Sequence, residues 1–570
     1  MSSHTRVLGI EGTAWAASAA VYDAATDEVV IESDAYQPDS GGIHPREAAE
    51  HMHDAIPRVV ETALERARER RDAADEPPVD CVAFSRGPGL GPCLRIVGTA
   101  ARALAQSLGV PLVGVNHMVA HLEIGRHTSG FSSPVCLNAS GANAHLLAYR
   151  NGRYRVLGET MDTGVGNAID KFTRHVGWTH PGGPKVEAAA EDGEYVDLPY
   201  VVKGMDFSFS GIMSAAKQAY DGVSASHASG GSSVERSESD GGVPVEDVCY
   251  SLQENVFAML TEVSERALSL TGSDELVLGG GVGQNTRLRE MLAEMCDQRG
   301  ASFHAPEPRF LRDNAGMIAV LGAKMYDAGD TLAIEASRVD PDFRPDQVPV
   351  TWRPQDESDL ALGREAGSVR GAEAIVDLEP EAGTVTKRRE SKTYRHPELD
   401  ERLRRERTRT EARLTSLARR EGVPTPVLSD VDGREARLEF EYVGREDLRA
   451  ALSPERVREV AGHLARLHLA GFVHGDPTTR NVRVGRADDD CDRGGTDRAY
   501  LIDFGLGYHT DHVEDYAMDL HVFDQSLVGT ADDPEPLRAA LREGYREVGE
   551  ARVLERLEDV EGRGRYVGGS

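Results

Sequence analysis

The sequence predicts an α/β protein built as two successive units, and three observations carry that reading. Along residues 1–326 short apolar runs alternate with helical stretches, and most runs lead into a glycine-rich turn or a helix, the rhythm of α/β architecture. A proline- and charge-rich stretch at about 338–365 breaks that rhythm. Beyond it come β-like residues at 366–387, a basic helix, and two short Asp-bearing motifs at 474–481 and 503–505. A chain of 570 residues has room for roughly 2–4 domains. The boundaries fall at 1–326 for the first unit, 327–365 for a linker and 366–570 for the second unit.

In the first unit the apolar runs at 7–10, 79–84, 110–115, 135–137 and 276–278 have the length of buried strands. GIEGT (9–13) joins the first strand to a hairpin and offers backbone N–H groups to a phosphate. SRGPGLGPCLRIVGTAARALA (85–105) is a glycine turn before a long helix, with Arg95 near its start. His117 and His121 follow the 110–115 run at i, i+4. On a helix that spacing puts both imidazoles on one face, where they can share a metal ion; two histidines alone are equally compatible with surface or capping roles. A zinc peptidase of the HExxH kind needs Glu directly after its first His, and Met118 stands there. The Gly/Ser-rich, acidic stretch 221–245 reads as a mobile surface insertion. VLGGGVGQN (277–285) is a strand, a glycine loop and a helix start, which lets the backbone approach a nucleoside closely. Asp313 opens DNAGMIAVLGAKMYDAG, either as the N-cap of an apolar helix or as a third, anionic metal ligand.

The second unit carries a phosphoryl-transfer signature. In HGDPTTRN (474–481) followed by DFG (503–505), Asp476 suits a base or hydroxyl-orienting carboxylate, while Asn481 and Asp503 suit a metal–phosphate clamp. Lys387 is expected to be the strand lysine that grips the phosphates, and Glu411 its helix partner. Leu403, Arg407, Thr410, Leu414 and Leu417 form one face of that helix, with Glu411 off to one side. GAEA (371–374), beginning at Gly371, replaces a full GxGxxG, so phosphate coverage is expected to be looser. Residues 387–420 hold 13 Lys/Arg against six Asp/Glu, a local balance of +7. Such a patch attracts the phosphates of RNA; a solvated helix face is the plainer alternative.

Composition sets the surroundings. There are 95 acidic against 64 basic residues, for a net charge of −31. Seven of the 64 basic residues are Lys, leaving 57 Arg. An acidic, Lys-poor surface suits solubility in strong brine, where salt screens self-repulsion; an ordinary acidic enzyme of a GC-rich genome is the other reading. The six cysteines are scattered with no CxxC pair, which fits a reducing cytoplasm. No apolar run reaches the ~18 residues of a membrane span, and the N-terminus enters a strand-like run with no signal-peptide layout. A cytoplasmic protein away from membranes is expected.

GIEGT, GGIHPREAAEHMHD (41–54), SRGPGLGPCLRIVG, VNHMVAH, ASGAN (139–143), GNAIDKF (166–172), HPGGPKVE (180–187), FSFSG (207–211), GGGVGQN and DNAGMIA stand in the order seen in the Kae/TsaD/Qri family of tRNA threonylcarbamoyladenosine transferases. The first unit resembles that family over nearly all of 1–326. The resemblance implies an actin-like (ASKHA) fold whose two ribonuclease-H-like halves clasp a nucleotide. It also implies His117, His121 and Asp313 as metal ligands, joined by Asn138. Asn138, Ala139, Ser140, Gly141, Ala142, Asp170, Gly183, Glu187 and Asn285 correspond to contacts with an adenylate substrate. Archaeal members usually carry Tyr where this chain has Asn138, and Gly where it has Ala142. An amide oxygen can still ligate a hard cation, without a phenolate's charge. The implied substrate is threonylcarbamoyl-AMP, the acceptor is the adenosine beside the anticodon of tRNAs reading codons that begin with adenine, and the ion is divalent, iron ahead of zinc.

Through KRRESKTYRHPELD (387–400), RTRTEARL (407–414), HGDPTTRN and IDFGLG (502–507) the second unit resembles the Bud-type atypical kinases related to RIO kinases. That resemblance implies a small α+β kinase-like fold using ATP and magnesium, acting as a serine/threonine kinase or ATPase that regulates the transferase. The implied partners are tRNA and the other subunits of the KEOPS complex, with dimerisation only through partner subunits. A different class of reading is a signalling Ser/Thr kinase with an actin-like regulatory module; it calls for a full glycine loop and a peptide-docking lobe, neither of which the sequence supplies.

Overall fold

The computed structural model describes residues 5–36, 43–70, 76–141, 143–150, 152–222, 242–353, 368–485 and 497–563. The first unit contains two five-stranded sheets that repeat one topology. In the first, a meander of Arg6–Glu11, Ala16–Asp23 and Glu28–Ala35 is antiparallel, and Cys81–Gly87 then Leu112–Asn116 add in parallel beside Arg6–Glu11. In the second, Val135–Ala139, Ala144–Arg150 and Arg153–Glu159 form the meander, and Glu275–Gly279 then Ser302–His304 add in parallel. This duplication is the expected actin-like, two-lobed architecture. The strand expectations at 79–84 and 110–115 begin two residues early.

Parallel strands need crossover helices, and their apolar faces build the cores. Helices Pro45–Glu69 and Gly91–Leu108 cover one face of the first sheet through Ile56, Val60 and Val97. Helix Ala315–Asp327 lies on the other face with Ile318 and Leu321. It lies very close to the sheet: a Cβ on Gly9 would stand 2.4 Å from the Ala315 carbonyl oxygen. The 27-residue helix Val245–Thr271 packs Leu252, Val256, Phe257 and Leu260 against the second sheet.

In all these crossovers the carboxyl ends of the parallel strands face the cleft, where open α/β sheets bind ligands. Glu11, Asn116 and Gly279 end their strands, and Asn138 stands one residue short of its strand's end.

The second unit begins with an antiparallel sheet of Ser368–Arg370, Ala374–Glu379, Thr384–Arg389, Arg437–Glu441 and Leu428–Asp432. Helix Pro397–Arg420 packs behind it, followed by a mainly helical lobe around Leu464, Phe472, Phe504 and Phe523.

Part of the expected linker is not a spacer. The Leu332 N–H donates to the Leu112 carbonyl at 2.8 Å, Asn116 Nδ2 donates to the Phe343 carbonyl at 2.8 Å, and the buried Arg353 guanidinium lies 3.8 Å from the centre of the Tyr149 ring. Residues up to 353 therefore belong to the first unit's packing; 354–365, and most of the expected insertion at 221–245, fall outside the described residues.

Candidate active sites

Strand Leu112–Asn116 runs straight into helix His117–Ser129, with Asn116 as cap: its side chain accepts from the Met118 and Val119 N–H groups. His117 is thereby the first helical residue and His121 lies one turn on, their rings 4.9 Å apart. Asp313 comes from the loop before helix Ala315–Asp327. It is not the N-cap of that helix, because Asn314 takes the Met317 N–H; the Asp313 carboxylate is released toward the histidines. One of its oxygens lies 3.3 Å from His117 Nε2 and 3.4 Å from His121 Nε2. All three ligand atoms fall within 4.8 Å of one another, the one such group among the described residues.

Sequence reasoning missed two residues here. Glu11, read only as part of a phosphate-cradling turn, is buried and places Oε2 3.1 Å from His117 Nδ1, while its Oε1 accepts from the Thr13 N–H at 2.8 Å. A carboxylate on the far nitrogen of a histidine fixes the ring and its tautomer for ligation. Burial alone would push His117 down, but Glu11 and Asp313 outweigh it and hold the imidazole up at about 10. Burial pushes His121 down, and the charge on His117 adds to this against the pull of Asp313. Burial opposes ionisation of Asp313, yet the two histidines hold its carboxyl far below the usual range.

The second missed residue is His145, paired across the strands with Asn138. Burial, together with His121 and His117, pushes it down to about 3, so it is neutral. Asn138 Oδ1 is buried without a hydrogen-bond partner, a vacancy in bonding that a cation can fill. Two imidazoles, one carboxylate and an amide oxygen make a donor set that fits a divalent transition metal, since two histidines with one carboxylate suit iron(II) and also serve zinc.

The residues assigned to the adenylate come from several separate elements of the second lobe. Ala139 is buried in its strand; Ser140 Oγ holds the Asn143 carbonyl at 2.9 Å; the Gly141 carbonyl accepts from the Asn167 N–H at 2.9 Å. Ala142 lies outside the described residues. Asp170 accepts from the Gly182 N–H at 2.8 Å and pairs with His180 at 3.0 Å. The His180 ring stacks on Trp15 across the cleft with centroids 5.4 Å apart. Gly183 starts its helix, Glu187 accepts from the Thr286 N–H at 2.9 Å, and Asn285 caps the helix Thr286–Arg299.

In the second unit a cleft of about 820 Å³ collects Gly371, Lys387, Glu411, Asp476, Asn481 and Asp503. Lys387 Nζ sits 2.9 Å from Glu411 and 2.7 Å from Asp503. Glu411 is not off to one side of its helix: it is 1 % exposed, on the same buried face as Leu403, Arg407 and Leu414. Asn481 Nδ2 donates to Asp476 Oδ2 at 3.0 Å. Burial raises Asp476 to about 7, with Arg266 pulling the other way and Asp503 and Glu373 adding to the rise. Burial would also raise Asp503, but Lys387 and Arg389 outweigh it and hold it at about 2.

The cleft is closed on one side by the first unit. Arg266, near the end of helix Val245–Thr271, reaches Asp476 Oδ2 at 3.0 Å and Glu373 at 2.6 Å. The same helix supplies Glu262 to Arg395 at 2.7 Å and to Arg407 at 3.1 Å, and Glu265 to Lys392 at 2.7 Å. Arg402 pairs with Asp197 at 2.8 Å. Much of the +7 charge of 387–420 is therefore spent on the first unit's carboxylates, and nothing in the sequence pattern could separate that use from RNA attraction.

No helix among the described residues is long and apolar enough to cross a membrane. Residues 25–320 match the family described as TsaD, tRNA N6-adenosine threonylcarbamoyltransferase. A "Probable bifunctional tRNA threonylcarbamoyladenosine biosynthesis protein" of Haloarcula marismortui is 66% identical, over 98% of this chain and 100% of that one. Proteins of the same name are 67% identical in Halobacterium salinarum, over 98% of each chain, and 49% identical in Methanospirillum hungatei, over 98% and 99%.

Proposed function

The chain belongs to the tRNA N6-adenosine threonylcarbamoyltransferase family, and on that premise we propose a bifunctional enzyme of threonylcarbamoyladenosine biosynthesis, a transferase joined to a kinase-type ATPase. The first unit transfers threonylcarbamoyl from threonylcarbamoyl-AMP to the adenosine next to the anticodon in tRNAs reading codons that begin with adenine. The observation that supports this best is the convergence of His117 and His121, on the helix after strand Leu112–Asn116, with Asp313 from the loop before helix Ala315–Asp327.

His117, His121, Asp313 and Asn138 would hold one divalent ion, iron in preference to zinc, which supplies Lewis acidity toward the carbamoyl donor. Glu11 orients His117 from behind. In the reaction the exocyclic amine forms a C–N bond to the carbamoyl carbon, the bond from that carbon to the phosphate oxygen breaks, the amine loses a proton and AMP leaves. Backbone N–H groups of the glycine turns, with Asp170, Glu187 and Asn285 around them, hold the adenylate. No covalent nucleophile is needed, so orientation and electrostatics carry the rate.

In the second unit Lys387 grips the phosphates of ATP, and Asn481 and Asp503 hold magnesium. Arg266 on Asp476 favours a regulatory ATPase over a kinase of many proteins, because a hydroxyl acceptor must compete for that carboxylate. A cytoplasmic site of action, tRNA as partner and association with the other KEOPS subunits belong to this reading.

Purified chain, given threonylcarbamoyl-AMP and unmodified tRNA with the other subunits, should form the modified nucleoside, read by mass analysis of digested tRNA. Asp313→Ala should abolish transfer and leave ATP hydrolysis intact. A wild type that leaves tRNA unmodified removes the reading.

A further inference from the structure

Asn138 and His145 face each other across the antiparallel strands Val135–Ala139 and Ala144–Arg150, both buried at 3 % and 4 % exposed. Asn138 Nδ2 lies 3.2 Å from His145 Nε2. The other arm of the amide, Oδ1, has no hydrogen-bond partner and no access to solvent. It is turned over the glycine loop that also borders His121. A Cβ on Gly279 would stand 3.4 Å from His121 Cβ and 3.5 Å from Asn138 Oδ1, and one on Gly280 only 2.6 Å from that oxygen. Gly280, at φ +84, leaves the oxygen its space.

The two arms of a side-chain amide are alike in size and opposite in polarity. A cation beside it attracts the oxygen and repels the –NH2, so only one of the two flips is useful. A neutral imidazole offers one acceptor nitrogen and one N–H. We propose that His145 is a positioning residue of the metal centre: protonated at Nδ1, its Nε2 accepts from Asn138 Nδ2 and locks the flip that presents Oδ1 to the cation held by His117, His121 and Asp313. This rests on the metal reading above and adds a residue to it.

The test is a titration of metal-stripped full-length chain with Co²⁺ alone, its visible d–d absorption reading both affinity and coordination, with thermal melting in parallel. Loss of a partner behind a ligand weakens metal affinity by about 10–100-fold, and His145→Leu is expected to fall in that range. His145→Gln, whose side-chain carbonyl can accept the same N–H, should stay within about threefold of wild type. Asn138→Asp has two equivalent oxygens and no flip to lock, so adding His145→Leu to it should cost little.

Unchanged affinity in His145→Leu overturns the proposal, and so does an equal loss in the Asn138→Asp background, which would mark a merely structural role. Wild type that binds no Co²⁺ overturns the metal reading and this proposal with it. Binding that is abolished by Asp313→Ala yet indifferent to His145 overturns the proposal alone.

Discussion

Asp476 decides how the second unit responds to pH. Its carboxyl, raised to about 7 by burial, must be ionised to orient a nucleophile. ATP hydrolysis should therefore rise with pH through an inflection near 7 and fall away below it. Arg266 opposes that rise in pKa, so Arg266→Gln should move the inflection to higher pH in an activity profile; an inflection that stays put would show that Arg266 does not act on Asp476. At the other end of the interface Asp206 is also raised to about 7, by burial and by Glu159, against the Glu159 N–H that it accepts. The folded state then keeps a proton that an unfolded Asp releases near pH 4. This group's contribution to stability is fully present below about 4 and is lost as pH rises toward 7, at most ~4 kcal/mol. Asp206→Asn should melt higher than wild type at pH 8, with the gap closing toward pH 4.

Which site residues were legible follows from their chemistry. His117, His121, Asp476 and Asp503 stand in motifs whose spacing is itself the geometry. Glu11 and His145 do not, since an acid in a glycine turn and a histidine in a strand acquire meaning only when a distant element arrives. Asp313 was legible as two alternatives, and the neighbouring Asn314 settled them by taking the cap.

Helix Val245–Thr271 is the element on which both units depend. Its apolar side carries Phe257, 1 % exposed in the core of the second lobe. Phe257→Ala should cost about 3–5 kcal/mol in denaturant melts, and metal affinity should survive wherever the fold does. Its charged side carries Glu262, Glu265 and Arg266 toward the second unit. A helix buried on nearly all sides shows no clean amphipathic stripe, so its partners could not be read from periodicity. A different reason misplaced Glu411. Its helix buries ionic residues beside leucines, and a purely apolar stripe leaves them out.

Five strands of the first unit were read with their starts within two residues, because short apolar runs bounded by turns have few other uses; Ala16–Asp23, Glu28–Ala35, Ala144–Arg150, Arg153–Glu159 and Ser302–His304 were not read. That the two sheets share one topology was implied only by the family resemblance, since the repeat lies in hydrogen-bond pairing and not in residue identity.

At the scale of the molecule, a charge of −31 and relatives from Haloarcula and Halobacterium agree with the acidic, Lys-poor composition. Screening falls as salt is diluted, so the melting temperature should drop between about 1 M and about 0.1 M KCl. The pairs of Glu262 and Glu265 with the second unit are buried and feel salt less. Removing one partner of a buried ion pair strands the others, typically at about 3–5 kcal/mol. Glu262→Ala, which takes from Arg395 and Arg407 their carboxylate on the first unit, should split a single calorimetric transition into two; one unchanged peak would show that the units are coupled by other contacts.

The peptide link between the units is then not what keeps them together. Besides the ionic cluster, the Gly204 N–H donates to the Gly475 carbonyl at 3.0 Å and Lys203 pairs with Asp515 at 2.8 Å. A protein nicked by a protease anywhere in 354–367 should still sediment as one particle and separate into two bands only in detergent.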